Sequence, residues 1–332
     1  MGWTMRMRFL VPSVLAILIV AAACSLGEET DSTSMTADTS AQVATPSEAA
    51  ADAPETDVRP DREPLVYGPR SDDGIQAILG TGDLGVGSNR FGFVLTSSKG
   101  FVREPTVRVV SRYSPIDGPQ GEERESAVAE YHPWPYGNRG LYATDLAFDR
   151  AGRWGIEIEV DGDEGAVSSA ELFFEVGETT EAPNVGDAAI KSVNKTADDV
   201  DSLPELTTGS LQDEDLYQLT IADAVGSGRP TVVVFASPAF CTNAVCGPQV
   251  EVLQQLKDEY LGQANFVHVD FYDNPQAIQG DLSRSELSPA VIEWNLPSIE
   301  WTFVIDAEGN VSARFEAFAT YTEVKAALKS VL

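Results

Sequence analysis

Length and charge limit what this chain can do. It has 332 residues and a formal net charge of −30, which leaves room for about two domains on a strongly acidic molecule. Nucleic acid is excluded as an expected partner, because its phosphates need an excess of Lys and Arg. Anionic membrane surfaces would also repel the chain, so any attachment to a membrane is expected to be covalent.

The N-terminus has the pattern of a targeting signal. Arg6 and Arg8 precede an apolar run over 9–20, which is shorter than the ~18–20 residues that span a bilayer. Small residues follow and lead to Cys24, so we predict a secretory signal over 1–23. The stretch AAAC ending at Cys24 resembles a bacterial lipobox, with Ala where Leu is commoner. The resemblance implies that Cys24 is lipidated and anchors the protein at the extracytoplasmic face of the cell membrane; the alternative is an ordinary signal or an uncleaved anchor.

Two acidic segments are predicted to be linkers. Residues 24–62 contain no aromatic residue and no Ile, so they bury too little apolar area to offset the entropy of ordering. Residues 179–213 have a similar acidic, Pro-containing composition. We expect a disordered spacer after Cys24 and a linker between two domains.

Between them, residues 63–178 have the pattern of an all-β domain. Trp154, Ile156, Ile158 and Val160 alternate with polar residues, and seven such runs without helical periodicity predict an antiparallel sandwich. The runs are 74–81, 91–97, 106–113, 127–132, 141–148, 153–160 and 168–176. The turn into Trp154, FDRAGRW, resembles that of bacterial immunoglobulin-like domains, which implies the same sandwich here.

A metal site is not expected in this sandwich. His132 is its single histidine, and it has neither Cys nor Met, so too few ligands are present for copper or zinc. The neighbouring Trp134–Pro135 pair indicates either a contact surface or an exposed turn with an aromatic anchor.

Residues 214–332 have a mixed α/β pattern in the order strand, helix, strand, helix, strand, strand, helix. A short helix over 216–225 is expected before the first strand, and Thr320 and Glu323 form a capping box for the last helix. The strands are 231–237, 265–273, 301–306 and 312–318, and the helices are 248–260, 288–295 and 321–332.

Cys241 and Cys246 lie between the first of these strands and its helix, with four residues between them. On one continuous helix they would lie about 140° away from a common face, which is incompatible with a disulfide. Cys241 is therefore expected in the loop and Cys246 at the start of the helix. Pro248 agrees with this, because proline is favoured in the first helical turn.

This order of elements, the cysteine loop and the hairpin WTFVIDAEGNV resemble the thioredoxin-like fold. The resemblance implies a dithiol at a helix N-terminus, where thiolate is favoured. One cysteine attacks a substrate disulfide and the other resolves the mixed disulfide. It also implies a cis-proline before the third strand that faces the cysteines and holds the substrate chain. We expect Cys241 to attack and Cys246 to resolve, although Cys246 lies nearer the helix dipole and the reverse stays open.

Two departures from the family pattern indicate a narrow choice of partner. The family separates its cysteines by two residues instead of four, and Trp301 stands where we place the cis-proline. Trp301 is expected either to shield the dithiol or to offer an aromatic platform. Trp301, Thr302 and Phe240 are the predicted substrate contacts, and the predicted partner is an extracytoplasmic protein thiol or disulfide.

Two other interpretations of the cysteine pair stay open. It could be an inert disulfide in a scaffold protein, although closing so short a ring gains little chain entropy. It could also bind metal, since Sco-type copper chaperones share the fold, but they use a three-residue gap and a later histidine. Here the domain's single histidine is His268, in the middle of a strand, where a core role is expected. No metal and no cofactor are therefore predicted.

Overall fold

Two β-sheets make up most of the regular structure. The computed structural model describes residues 65–117, 121–161, 167–241 and 245–332, and these belong to one compact unit. The predicted signal over 1–23, Cys24 and the spacer over 24–62 lie outside the described residues. Within the described part of the chain, no helix is long and apolar enough to cross a membrane.

The first sheet is antiparallel throughout and contains all seven predicted strands, together with one short strand that was not predicted. Its order is β1-β2-β6-β5-β4-β7-β8, with β3 paired to β2. The strands are β1 (Gln76–Leu79), β2 (Gly87–Ser97), β3 (Gly100–Phe101), β4 (Thr106–Tyr113), β5 (Glu123–Pro133), β6 (Gly140–Phe148), β7 (Gly152–Asp161) and β8 (Val167–Val176).

This sheet encloses an aromatic core. The apolar positions of β7 are buried and its glutamates are partly exposed, as the alternation predicted. Strand β5 pairs with both β4 and β6, so the strands form one continuous sheet, and β1 lies against β8. Phe91, Phe148, Trp154 and Phe174 pack together inside it. The immunoglobulin-like assignment of this β-rich part stays a prediction.

The second sheet has the order β10-β9-β11-β12. β9 and β10 are parallel, and β11 is antiparallel to both β9 and β12. The elements are α1 (Ile221–Gly226), β9 (Thr231–Phe235), α2 (Cys246–Tyr260), β10 (Asn265–Val269), α3 (Pro275–Ile278), α4 (Pro289–Glu293), β11 (Trp301–Ile305), β12 (Val311–Glu316) and α5 (Tyr321–Lys329). The predicted order of strands and helices is confirmed except that one short helix, α3, was not predicted, and the connectivity is the one that the thioredoxin resemblance implies.

Local sequence explains where these helices begin. The helix predicted over 216–225 is divided into a 3-10 turn, Glu214–Tyr217, and α1, because Thr220 adopts an extended conformation and accepts a hydrogen bond from Asp223 N. The capping box of Thr320 and Glu323 is present at α5. Strands β9, β10 and β11 are buried along their whole length, since helices α2 and α5 contribute to the core on one face and α1 and α4 on the other.

The predicted linker over 179–213 packs against the second sheet. Gly186 N donates to Val311 O at 2.8 Å, Ala189 N donates to Gly309 O at 2.9 Å, and Ala188 pairs with Asn310. The segment thereby covers the start of edge strand β12, whose backbone groups would otherwise face solvent. The domain boundaries themselves stay predictions.

Charged side chains link the first sheet to the second. Arg314 on β12 donates to Asp83 Oδ2 at 2.7 Å, and Arg90 on β2 donates to Phe318 O at 2.9 Å. A cavity of about 530 Å³ lies at this junction and is lined by both arginines.

The loop that follows β5 also reaches the second sheet's helices. Tyr136 Oη donates to the Glu251 carboxylate on α2 at 2.7 Å. Trp134 is partly buried against the core that includes α2. The predicted Trp134 contact surface is therefore used at least partly within the chain.

Candidate functional site

The cysteine pair lies at the connection between strand β9 and helix α2. After β9 the chain makes a turn over 237–240 and reaches Cys241, while Cys246 is the first residue of α2. The two form a disulfide with a Cα–Cα distance of 5.9 Å, within the usual range. The expectation of one cysteine in the loop and one at the helix start is confirmed.

The two sulfurs have different environments. Cys241 is partly exposed, whereas Cys246 is 0% exposed. Cys246 N, at the first turn of α2, donates to Cys241 Sγ at 3.4 Å. An amide at a helix N-terminus stabilises negative charge, so the accessible sulfur is also the one that this amide would stabilise as a thiolate.

A buried carboxyl group accompanies the disulfide. One carboxyl oxygen of Glu300 and the two sulfurs all lie within 4.8 Å of one another. Glu300 is 0% exposed, and neither of its carboxyl oxygens has a hydrogen-bond partner among the described residues. Burial raises the pKa of Glu300 well above its ordinary 4.5, and the positive charge of Arg90 opposes the rise. The environment therefore favours the neutral acid.

The backbone at Glu300 is in an uncommon conformation. Its φ is 86°, and its cross-strand neighbour Ala317 has a φ of 60°. Ala317 N donates to Glu300 O at 3.2 Å, which holds the two together. Non-glycine residues in this left-handed region are strained, and such residues cluster at functional sites.

Sequence reasoning missed Glu300 because it took Trp301, the first residue of the predicted third strand, as the residue that faces the cysteines. Strand β11 begins at Trp301, so Glu300 is the residue that precedes it and faces the cysteines. The available signal was an acidic residue directly before WTFVI, a run apolar enough to be fully buried.

Trp301 does not lie at the cysteines, which corrects the expectation of an aromatic shield or platform. It is 0% exposed, and its cross-strand neighbour on β9 is Phe235, on the face of the sheet away from the cysteines. Its ring stacks on Phe303 with centroids 5.6 Å apart, and its Nε1 donates to Ser298 O at 2.9 Å. The reason is strand alternation, which sends successive side chains to opposite faces.

The other two predicted substrate contacts, Thr302 and Phe240, differ in their exposure. Thr302 is opposite Val234, on the face that holds the cysteines, but it is 0% exposed. Its hydroxyl has no hydrogen-bond partner among the described residues. Phe240 is partly exposed and packs edge to face on Tyr272 at 6.0 Å. Phe240 is thus the predicted contact that a partner could reach.

Side chains from the predicted linker hold the turn before Cys241. Thr208 Oγ1 accepts a hydrogen bond from Ala239 N at 3.2 Å and lies 3.1 Å from Ser237 Oγ. Thr208 also donates to the Asp270 carboxylate from its amide at 2.7 Å and its hydroxyl at 2.9 Å. Burial raises the pKa of Asp270 to about 6, and these hydrogen bonds oppose the rise. The cysteine loop is therefore anchored through Thr208 to Asp270, the residue directly after strand β10.

His268 has a core role, as expected. Its Nδ1 lies 2.7 Å from Tyr217 Oη, and its Nε2 lies 3.0 Å from Ala236 O. Burial lowers the pKa of His268 to about 4, so the imidazole is neutral near pH 7. Both ring nitrogens are occupied by these two neighbours.

The chemistry of the cluster is that of a redox pair. In the disulfide form neither sulfur is a thiolate, the form of cysteine that attacks disulfides and binds metals. Opening the bond takes two electrons and frees one accessible and one buried sulfur. The arrangement can therefore exchange a disulfide with another thiol at Cys241.

Comparisons with known proteins find little at the level of sequence. No family model matches the chain, and no curated protein matches it. Among solved structures, the chain is similar to a thiol:disulfide interchange protein of the thioredoxin family from Chlorobium tepidum TLS. The sequence identity is 15% and the TM-score is 0.31, over 45% of this chain and 99% of that one.

Proposed function

We propose that this protein exchanges disulfides with a specific protein partner, with Cys241 as the attacked and attacking cysteine and Cys246 as the resolving one. The observation that supports this most is the asymmetry of the pair. Cys241 is partly exposed and accepts a hydrogen bond from the first amide of α2, whereas Cys246 is buried. A structural disulfide has no need of this division.

The proposed exchange has two balanced steps. A partner thiolate attacks Cys241 Sγ, a new bond joins the two proteins, and the electron pair of the old bond leaves on Cys246 Sγ. A second partner thiolate then attacks the partner's sulfur of the mixed disulfide and releases Cys241 as a thiolate. The partner becomes a disulfide and this protein a dithiol, and the reverse sequence oxidises a partner dithiol.

We also propose where the exchange takes place. The lipobox-like AAAC ending at Cys24 supports a lipid anchor at the extracytoplasmic face of the cell membrane, where disulfides persist. The eight antiparallel strands between 76 and 176 support an immunoglobulin-like domain beside the redox part. Phe240, next to Cys241 and partly exposed, is the proposed contact for the partner.

Trapping variants test the proposed exchange. In the Cys246→Ser variant, the mixed disulfide at Cys241 has no resolving thiol, so a covalent partner should accumulate on non-reducing gels of the bacterial envelope. Cys241→Ser is the matched control and should trap far less, because its remaining thiol is buried. If neither variant traps a partner, exchange is not the function.

The reduction potential of the pair separates exchange from an inert disulfide. Structural disulfides have potentials below about −300 mV, so the exchange function predicts a higher value. A measured potential below that limit would instead support a scaffold protein with a structural bridge.

A further inference from the structure

Opening the disulfide creates a charge in a place that water does not reach. When a partner thiolate attacks Cys241, the departing electron pair lands on Cys246 Sγ, and Cys246 is 0% exposed. Burial disfavours the charged form of a thiol. The departing sulfur therefore needs a proton from a group that lies inside the protein.

Three described carboxyl groups, those of Asp270, Glu300 and Glu316, have raised pKa values, and their partners distinguish them. Asp270 accepts hydrogen bonds from Thr208 and from Tyr272 N. Glu316 accepts them from Asp83 N at 2.9 Å and Ser298 Oγ at 2.6 Å. Glu300 has no partner among the described residues and is the carboxyl group near both sulfurs. Hydrogen bonds from neighbouring donors satisfy the buried carboxyl groups of Asp270 and Glu316, whereas the carboxyl group of Glu300 has no such bond.

We infer that Glu300 exchanges a proton with the sulfur of Cys246 during thiol–disulfide exchange, and that Arg90, supplied by the first sheet, tunes this transfer. The inference rests on the proposed function. In the reducing direction, Cys246 Sγ takes the proton as the S–S bond breaks, and the carboxyl group becomes a carboxylate. In the oxidising direction, the carboxylate takes the proton back as Cys246 attacks the mixed disulfide.

The position of Arg90 explains how the first sheet takes part. Its guanidinium group donates to Glu316 O at 3.2 Å and to Phe318 O at 2.9 Å. These carbonyls flank Ala317, whose amide binds Glu300 O. A positive charge at this place stabilises the carboxylate form of Glu300, and the first sheet becomes part of the redox site.

The other described charged groups near this segment are already paired. Glu323 on α5 forms an ion pair with Arg90 at 2.9 Å, and Arg314 on β12 forms one with Asp83 at 2.7 Å. Among the described residues of α2 and the loop before it, the two cysteines place their sulfurs within 4.8 Å of a Glu300 carboxyl oxygen. Arg90 acts on Glu300 as well as on Glu323: its positive charge stabilises the carboxylate that forms at Glu300 and lowers the pKa of Glu300 against the effect of burial.

The test is the pH profile of disulfide opening in the full-length protein, purified in detergent. Dithiothreitol reduces the disulfide, and the rate is divided by the fraction of dithiothreitol present as thiolate at each pH. In the wild type, this corrected rate should be high at low pH and fall as Glu300 loses its proton. In Glu300→Gln it should be independent of pH and lower than the wild-type plateau by on the order of 10²-fold, the lower end of general acid catalysis.

Three further variants separate proton transfer from damage to the core. Glu316→Gln removes another buried carboxyl group, on the face of the sheet away from the cysteines, and it should keep the wild-type profile. Arg90→Gln should move the fall in rate to higher pH, because the carboxylate loses its stabilising charge. Arg314→Gln, which removes the other arginine link between the sheets, should leave the position of the fall unchanged.

An infrared measurement on the wild type covers the case in which Glu300→Gln fails to fold. A difference spectrum between the oxidised and reduced protein should contain a protonated-carboxyl band that changes with redox state, and this band should survive in Glu316→Gln. Absence of such a band overturns the role of Glu300.

The outcomes also distinguish this inference from the proposed function. If the corrected rates of wild type and folded Glu300→Gln coincide at every pH, Glu300 does not transfer a proton to Cys246. Exchange through Cys241 would still stand in that case, provided that Cys246→Ser traps a partner. A wild-type disulfide that dithiothreitol does not open in the folded protein overturns both.

Discussion

Replacing His268 by Gln should make the protein less sensitive to acid. His268 is 1% exposed and sits between Tyr217 Oη and Ala236 O. Glutamine offers both a donor and an acceptor, so it can keep one bond to each neighbour, but it does not titrate. The variant therefore removes a proton-binding site while it retains polar contacts at the same place.

The expected size follows from the two pKa values. Burial lowers the pKa of His268 from 6.5 to about 4, so between these values the unfolded chain binds the proton and the folded chain does not. Stability is therefore lost as the pH falls from 6.5 towards 4. For a single site with these values, the loss between pH 7 and pH 5 is about 2 kcal/mol.

Buried carboxyl groups act in the opposite direction, so the comparison must be made between variants. Burial raises the pKa of Asp270 to about 6 and that of Glu316 to about 7. The folded chain binds these protons more tightly, which adds stability as the pH falls through these values. Both groups are present in the wild type and in His268→Gln, so their contributions cancel in the difference.

Urea unfolding at pH 7 and pH 5 gives the quantity to compare. The free energy of unfolding of the wild type should fall, relative to that of His268→Gln, by about 2 kcal/mol between the two pH values. The refuting result is a pair of parallel pH dependences, whatever the difference in stability at pH 7. That result would mean that His268 is not held as a neutral imidazole in the folded protein.

Three other substitutions, one of them with a control variant, test ion-pair, packing and capping contacts of the fold. Arg314→Met leaves Asp83 buried without its charge partner and should lower the free energy of unfolding by about 3 kcal/mol, the lower end for a broken buried pair, because Asp83 keeps two amide donors. The control Arg108→Met breaks an exposed ion pair and should lower it by less than about 1 kcal/mol. Equal losses of the two variants in urea unfolding would contradict this prediction. Trp301→Ala should lower the free energy of unfolding by about 3–5 kcal/mol and leave partner trapping by folded Cys246→Ser protein unchanged. Reduced trapping would mean that the Trp301 side chain contributes to the site after all. Thr320→Ala removes the cap of α5 and should lower the thermal midpoint by an amount equivalent to about 1 kcal/mol, and an unchanged midpoint would show that the capping box contributes nothing.

Much of the fold could be predicted because its signals are local. The seven predicted strands of the first sheet and the four of the second follow from alternation and from short apolar runs between turn residues. The spacing of Cys241, Cys246 and Pro248 likewise restricted where helix α2 could begin. Helix geometry and proline act over a few neighbouring residues, so no knowledge of distant contacts was needed.

The site could be predicted only in part, because its remaining members are brought together by the fold. Glu300 and Arg90 are far from Cys246 along the chain, and nothing in their local sequence indicates that they share a site. Trp301 was expected to face the cysteines, but the residue that does so is Glu300, one position earlier. In a strand, a difference of one position exchanges the two faces of the sheet. The sequence by itself therefore determined the order of elements and the dithiol, whereas the tertiary structure decided which side chains surround it. The physical reason is that burial, which raises the pKa of Glu300 and isolates Cys246, is a property of packed neighbours and not of the residues themselves.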